Sequence, residues 1–181
     1  MATRTLVLFA TREGQTQKVA TRIADHLAEG GANVNVVNAA DLGKTGEIDL
    51  DQYDLLIFGA SMHAGGIEKE LVDFISQNQA QIETKTRSFF LVLLSAATVD
   101  PDLRRNWLAD ALEKVTRQLN VSFDKVEMIA GALMYSKYSL PMKWLMKSIA
   151  GKVGEDTDTS EDYEYTDWEQ VRRYAQELIR P

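Results

Sequence analysis

The sequence predicts an α/β domain: one five-stranded parallel sheet in the order 2-1-3-4-5, covered by helices on both faces as a three-layer sandwich. Three observations carry this. Short apolar runs and helix-period segments alternate five times along the chain, the pattern of consecutive βαβ units. The third and fourth runs, 53–59 and 89–94, have unbroken apolar centres, as strands covered on both faces require. The turn Thr11-Arg12-Glu13-Gly14-Gln15-Thr16 directly follows the first run, at the edge where such sheets bind ligands.

In chain order, residues 5–9 form the first strand. The helix over 17–29 sets Val19, Ala20, Ile23, Ala24 and Leu27 on one stripe, and Gly30-Gly31 ends it. Residues 33–38 are the second strand, 41–51 a polar connection and 53–59 the third strand. After a loop at 61–66, Ile67, Leu71, Phe74 and Ile75 mark the next helix. The fourth strand, 89–94, leads through a loop at 95–99 to Asp100-Pro101, a capping side chain followed by proline at the first helical position. Leu103, Trp107, Leu108, Ala111, Leu112, Val115 and Leu119 make the core face of that helix. The fifth strand is 126–133. The capping box Thr166-Asp167-Trp168-Glu169 opens the last helix, with Val171, Leu178 and Ile179 facing inward.

At 181 residues the chain suits one well-buried domain, so 1–181 is read as a single unit. Hydrophobic residues at 45% with 26% charged fit a soluble protein. No apolar run approaches the roughly 20 residues needed to cross a bilayer. The start runs straight into a strand, leaving no room for a signal peptide, and a cytoplasmic location is expected. Without cysteine, disulfides and thiolate metal sites are excluded, and no residue cluster suggests another metal. A net charge of −7 argues against nucleic acid as a partner.

A strand, a hydroxyl- and glycine-containing turn and a helix place several backbone N–H groups and a positive dipole end in one concavity. That suits a phosphate without needing a lysine. Thr11 and Thr16 add hydroxyls, Arg12 a charge and Gly14 a close backbone approach. The turn matches neither of the common nucleotide-phosphate fingerprints, and an ordinary turn capped by Thr11 is the alternative. Where the strand order reverses, the loops 11–16, 61–66 and 95–99 converge. The candidate cofactor-binding residues are therefore Thr11, Arg12, Glu13, Gly14, Gln15 and Thr16, then Ser61, Met62, His63, Ala64 and Gly65, then Ser95, Ala96, Ala97 and Thr98. Small residues in the second and third loops let a flat ring slide between them. Phosphate and planar ring together describe a mononucleotide, and flavin mononucleotide (FMN) is favoured for this sheet order. His63 is the candidate acid–base residue or flavin partner; His26, in the first helix, reads as a surface residue.

Between the fifth strand and the last helix lie about 30 residues, 134–165, where such folds need about 2–6. This insertion leaves the same edge of the sheet and can roof the ring. Its first half carries Lys137, Lys143, Lys147 and Lys152 and no carboxylate; from 155 to 167 it is strongly acidic. Met142, Leu145, Met146, Ile149 and Val153 share one helical face, with the lysines off it and Trp144 on the polar side. A membrane surface, an apolar partner or the chain's own domain could each take that face.

Phe9-Ala10-Thr11-Arg12-Glu13-Gly14-Gln15-Thr16, Ile57-Phe58-Gly59-Ala60-Ser61 and Ile129-Ala130-Gly131-Ala132-Leu133 resemble the bacterial menaquinone-dependent protoporphyrinogen IX dehydrogenase family. So do Gly154-Glu155-Asp156-Thr157-Asp158-Thr159 and Tyr165-Thr166-Asp167-Trp168-Glu169-Gln170-Val171. The first motif is shared with flavodoxins at large, while the insertion is more specific. The resemblance implies a flavodoxin-like fold holding FMN, with a long loop after strand 5. It also implies six-electron oxidation of protoporphyrinogen IX in haem synthesis, with a membrane quinone (menaquinone or ubiquinone) as acceptor at the cytoplasmic face of the inner membrane. Flavodoxins commonly stack an aromatic on the ring from the two loops after strands 3 and 4, which here contain none. Stacking is then expected from Tyr135, Tyr138 or Trp144, and Lys137, Lys143 and Lys147 are expected to meet porphyrin propionates or lipid. The loop 61–66 carries no carboxylate, which favours a higher flavin potential and two-electron turnover. Deleting 136–160 is expected to spare FMN binding and abolish quinone-linked activity. The alternatives are a flavodoxin-type electron carrier, or a quinone reductase without porphyrinogen activity.

Overall fold

Strand β1 (Arg4–Phe9) is buried from Thr5 onward, so both of its faces must meet apolar partners. Side chains alternate across a strand, and here Leu6 and Leu8 join one core cluster while Val7 and Phe9 join another. In this computed structural model, which describes residues 2–42, 48–63, 65–153 and 157–179, that double burial is met by a sheet between two helical layers. Strands β2 (Asn33–Asn38), β1, β3 (Leu55–Ser61), β4 (Thr86–Leu93) and β5 (Lys125–Ala130) pair in that order, all parallel. The predicted order 2-1-3-4-5 is therefore present.

Helix α1 (Gln15–Glu29) buries Val19, Ala20, Ile23, Ala24 and Leu27 against one face, joined by α5 (Trp168–Ile179) through Val171, Tyr174 and Ala175. Each fully buried Val, Ile or Leu contributes about 1.5–3 kcal/mol. The opposite face is covered by α2 (Lys69–Gln77), a further turn at Gln79–Ile82, and α3 (Pro101–Leu119). Gly59 has no room for a side chain: a Cβ there would fall 2.0 Å from Phe90 Cζ of the neighbouring strand.

Several boundaries differ from expectation, each for a visible reason. Helix α1 starts at Gln15, not 17, because Gly14 adopts φ 98° and turns the chain directly into the helix. Helix α3 begins as expected, with Asp100 accepting from the N–H groups of Asp102 and Leu103 at 2.9 and 3.0 Å. Its apolar stripe buries Ala111, Val115 and Leu119 in the core with Leu108 packed partly against it, while Leu103 and Leu112 stay exposed. Its first six residues are all exposed, clear of the core. The cap of α5 is Asp167, which accepts from Glu169 and Gln170 N–H at 2.9 and 3.1 Å. Thr166 is engaged elsewhere, donating to the Ala130 carbonyl at 2.7 Å.

The fifth strand ends at Ala130 because β4 stops at Leu93 and offers no further edge. After Gly131 the chain peels away as β6 (Ala132–Leu133), which pairs antiparallel with β7 (Tyr163–Glu164). That two-residue ribbon closes the base of the insertion. Within it lie a 3-10 turn, Tyr135–Lys137, and helix α4 (Leu140–Val153), around a small core of Leu133, Tyr135 and Ala150. The side chains of Met142, Leu145, Met146, Ile149, Lys152 and Val153 lie outside the described residues, and with them the predicted apolar face. No helix among the described residues is long and apolar enough to cross a membrane.

Candidate functional site

The turn after β1 is shaped by two local choices. Thr11 Oγ1 accepts from the Gly14 N–H at 3.0 Å, and Gly14 supplies the left-handed backbone that an L side chain resists. Helix α1 therefore begins abruptly, with no side-chain cap and no acidic residue in its first turn. Its first N–H groups have no intrahelical acceptor, as at any helix start. Thr16 is fully buried, and its hydroxyl has no hydrogen-bond partner among the described residues. A buried hydroxyl left so costs about 1–3 kcal/mol, which marks a place where an acceptor belongs. Gln15 is oriented by its Nε2 donating to Thr166 Oγ1 at 2.8 Å.

This turn forms one wall of a cavity of about 430 Å³ at the carboxyl edge of the sheet. Thr11, Arg12, Glu13, Gln15 and Thr16 line it from the first loop. Ser61, Met62, His63 and Gly65 line it from the second, while Ala64 lies outside the described residues. The third loop contributes only Ser95. Residues Leu94–Ala97 wind into a 3-10 turn instead of an open loop, with Ala96 packed against the core and Thr98 buried. The flat walls come from Val92, Leu93, Leu94 and Gly131, at strand ends that loop reasoning passed over.

The second loop holds a residue that the sequence reading missed. Glu68, buried at the start of α2, reaches back to the end of β3. Its carboxylate accepts from the Ser61 N–H at 3.2 Å, from the Ser61 hydroxyl, and faces His63 Nε2 at 3.3 Å. His63 Nε2 also lies 3.0 Å from Ser61 Oγ. Burial pushes the Glu68 carboxyl up, but the bonds from His63 and Ser61 outweigh it and leave the group below the usual glutamate range. The loop itself closes tightly, His63 and Gly66 exchanging backbone bonds at 2.9 and 3.0 Å. The loop lacks a carboxylate, as its composition says; the space beside it does not. The available signal was a glutamate five residues after the only histidine on a ligand loop.

The insertion meets the cavity through Tyr138. Burial, and next the Glu13 carboxylate, raise the pKa of its hydroxyl. Tyr135 is not at the cavity: it is fully buried in the insertion core, edge-on to Tyr138 and Tyr163. Trp144 is 77% exposed on α4 and is not among the residues that line the cavity. Of the three aromatics expected to stack, the structure brings Tyr138 alone to the cavity. Lys137 sits at the first loop, its ammonium donating to the Glu13 carbonyl. Lys143 and Lys147 lie on α4 with Trp144. The insertion is thus part of the cavity wall, which separable roofing would not require.

The family of the flavodoxin domain matches residues 6–160 of this chain. Over 175 residues the chain is 31% identical to protoporphyrinogen IX dehydrogenase [quinone] of Escherichia coli (strain K12), covering 97% of this chain and 94% of that protein. A protein of the same name from Leishmania major is 28% identical over 96% of this chain and 73% of its own length. Among solved structures, oxidised Flavodoxin 1 from Bacillus cereus superposes with a TM-score of 0.55 at 18% identity, covering 97% of each chain. The sheet order, the turn at 11–16 and this similarity along the whole length agree: the chain belongs to the flavodoxin domain family, alongside the quinone-dependent protoporphyrinogen IX dehydrogenases.

Proposed function

We propose that this protein oxidises protoporphyrinogen IX to protoporphyrin IX with a quinone as acceptor, using FMN, as a step of haem synthesis. The observation that carries the reading is the meeting of a phosphate-type turn and an insertion aromatic, Tyr138, in one cavity. The residues fit FMN: uncapped N–H groups, the unpartnered Thr16 hydroxyl and Gly14 suit its phosphate. Val92, Leu94 and Gly131 suit its ring. When bound, FMN supplies hydride acceptance from the porphyrinogen and onward delivery to the quinone.

The protein orients the ring and handles protons. His63 donates its Nε2–H toward Glu68 and Ser61, a tautomer assigned from the surrounding acceptors, which leaves Nδ1 as the basic nitrogen. Over three two-electron turns three hydrides leave meso carbons and three protons leave with them, two from pyrrole nitrogens and one from the fourth meso carbon. His63 Nδ1 is the proposed proton acceptor. Three turns remove six hydrogens and reduce three quinones to quinols. Tyr138, which lines the cavity, would cover a bound ring and limit water there.

The deciding experiment is anaerobic turnover with protoporphyrinogen IX and menaquinone or ubiquinone, followed by porphyrin fluorescence. Three quinols per porphyrin are expected. A yellow protein that reduces quinone but never forms porphyrin above the uncatalysed rate would be a carrier or quinone reductase. A colourless protein that takes up no FMN would sink both.

The membrane reading, at the inner face of the cell membrane, rests on Leu140 and Trp144, each 77% exposed on α4. The lysines are less available to lipid than their number suggests. Asp162 sits where Lys137 and Lys143 add to its lowered pKa, after the bonds from Ser136 that dominate it. Asp158, held down first by its bonds from Ser160, feels Lys147. Each lysine beside anionic lipid contributes at most about 1 kcal/mol. Replacing Leu140 and Trp144 by serine is therefore expected to weaken partition onto phosphatidylglycerol vesicles, read by sedimentation, by about a hundredfold or more, since each apolar side chain withdrawn from water is worth roughly 1.5–3 kcal/mol. Lys143→Glu with Lys147→Glu is expected to cut it less. A parent protein that stays in the supernatant would end this reading.

A further inference from the structure

We infer that Lys137, carried by the insertion, is a ligand of the cofactor phosphate. The inference rests on the FMN reading and adds to it a residue far from the turn in sequence. The Lys137 ammonium donates to the carbonyl of Glu13, and a Cβ built on Gly14 would stand 3.5 Å from Lys137 Nζ. The ammonium therefore lies over the same turn that presents the α1 N–H groups and the buried Thr16 hydroxyl. An ammonium has three donors, so two remain after the bond to Glu13.

Charge points the same way. Within the turn, Arg12 and Glu13 cancel. Lys18, the next cation on α1, is committed to Glu164 at 2.9 Å. Beyond the helix dipole, a phosphate dianion thus meets almost no net positive charge from the side chains of the turn, and Lys137, whose charge also reaches Asp162, adds it. Nor is Lys137 loosely placed. The side chain of Tyr135, two residues before it, is fully buried. Ser136 donates through its N–H and its hydroxyl to Asp162 at 2.7 and 2.5 Å. The β6–β7 ribbon fixes both ends of the insertion. It follows that deleting 136–160 weakens FMN binding, where the sequence alone suggested it would be spared.

The test compares FMN with riboflavin, which lacks the phosphate, by titrating each against the cofactor-free protein and following flavin fluorescence. For Lys137→Met the FMN dissociation constant is expected to rise about tenfold at low salt, the worth of one charge-assisted bond. The difference should narrow at high salt, because Lys137 is exposed and its charge is screened. Riboflavin affinity should not change, and Lys137→Arg should recover most of the loss. Unchanged FMN affinity would overturn the inference. So would equal losses for both flavins, which would mean the lysine only holds the insertion over the ring. If the parent protein binds FMN no tighter than riboflavin, the phosphate reading of the turn fails first, and the parent alone reveals it.

Discussion

Replacing Thr16 with valine is expected to weaken FMN binding by roughly 30-fold while leaving the cofactor-free protein as stable as before or more so. The two effects have opposite signs because one hydroxyl causes both. In the protein alone that hydroxyl is buried and unpartnered, a cost of about 1–3 kcal/mol that an isosteric methyl removes. On the FMN reading the same hydroxyl should donate to a phosphate oxygen, and a hydrogen bond to a charged group is worth about 1.5–3 kcal/mol. Flavin fluorescence titration measures the first effect and urea unfolding of the cofactor-free protein the second. Thr16→Ser should keep most of the affinity. An unchanged FMN affinity in Thr16→Val would place the phosphate elsewhere.

Glu68→Ala is expected to destabilise the protein by about 3 kcal/mol and to move the acid limb of the activity profile. The Ser61 N–H, the Ser61 hydroxyl and His63 Nε2 all converge on one buried carboxylate. Removing it strands buried donors at about 1–3 kcal/mol each, partly relieved by water that enters the gap. Glu68→Gln keeps one acceptor oxygen and should cost about half as much. The pH dependence follows from the lowered carboxyl of Glu68. Because the folded value is below the unfolded one, the stabilisation is fully present above the ordinary glutamate value of 4.5. It fades as pH falls past that value and is gone below the folded pKa. Urea unfolding from neutral pH into that window should show a slope that Glu68→Gln flattens. If Glu68→Gln unfolds with the parent's slope, the carboxylate is not the group that holds this loop. Activity separates positioning from mere packing: loss of orientation at His63 should lower kcat and shift its pH profile while KM changes little.

Much of the architecture could be read from local pattern. The stripe Val19, Ala20, Ile23, Ala24 and Leu27 is a period that a single helix imposes, and all five are buried. Asp100-Pro101 and Gly30-Gly31 are short-range start and stop signals, and the chain obeys both. Less legible was where an element runs out of partners. Nothing near Ala130 announces that β5 must end there; Leu93 on the next strand decides it. Likewise Leu103 has the right period for the core, but its end of α3 lies clear of it.

By itself the sequence determined the abrupt turn at 11–16, which follows from turn chemistry within a few residues. It also determined the sheet order and the edge where three loops converge, which follow from the five-fold alternation of strands and helices together with the rules for βαβ crossovers. Only the tertiary structure decided which distant groups finish the cavity. The Lys137 ammonium meets the Glu13 carbonyl across 124 positions, and Gln15 meets Thr166 across 151. Glu68 reaches His63 across the mouth of one strand. The Lys137 and Gln15 contacts depend on how the insertion returns to the sheet, a matter of packing and ribbon pairing that no local pattern encodes.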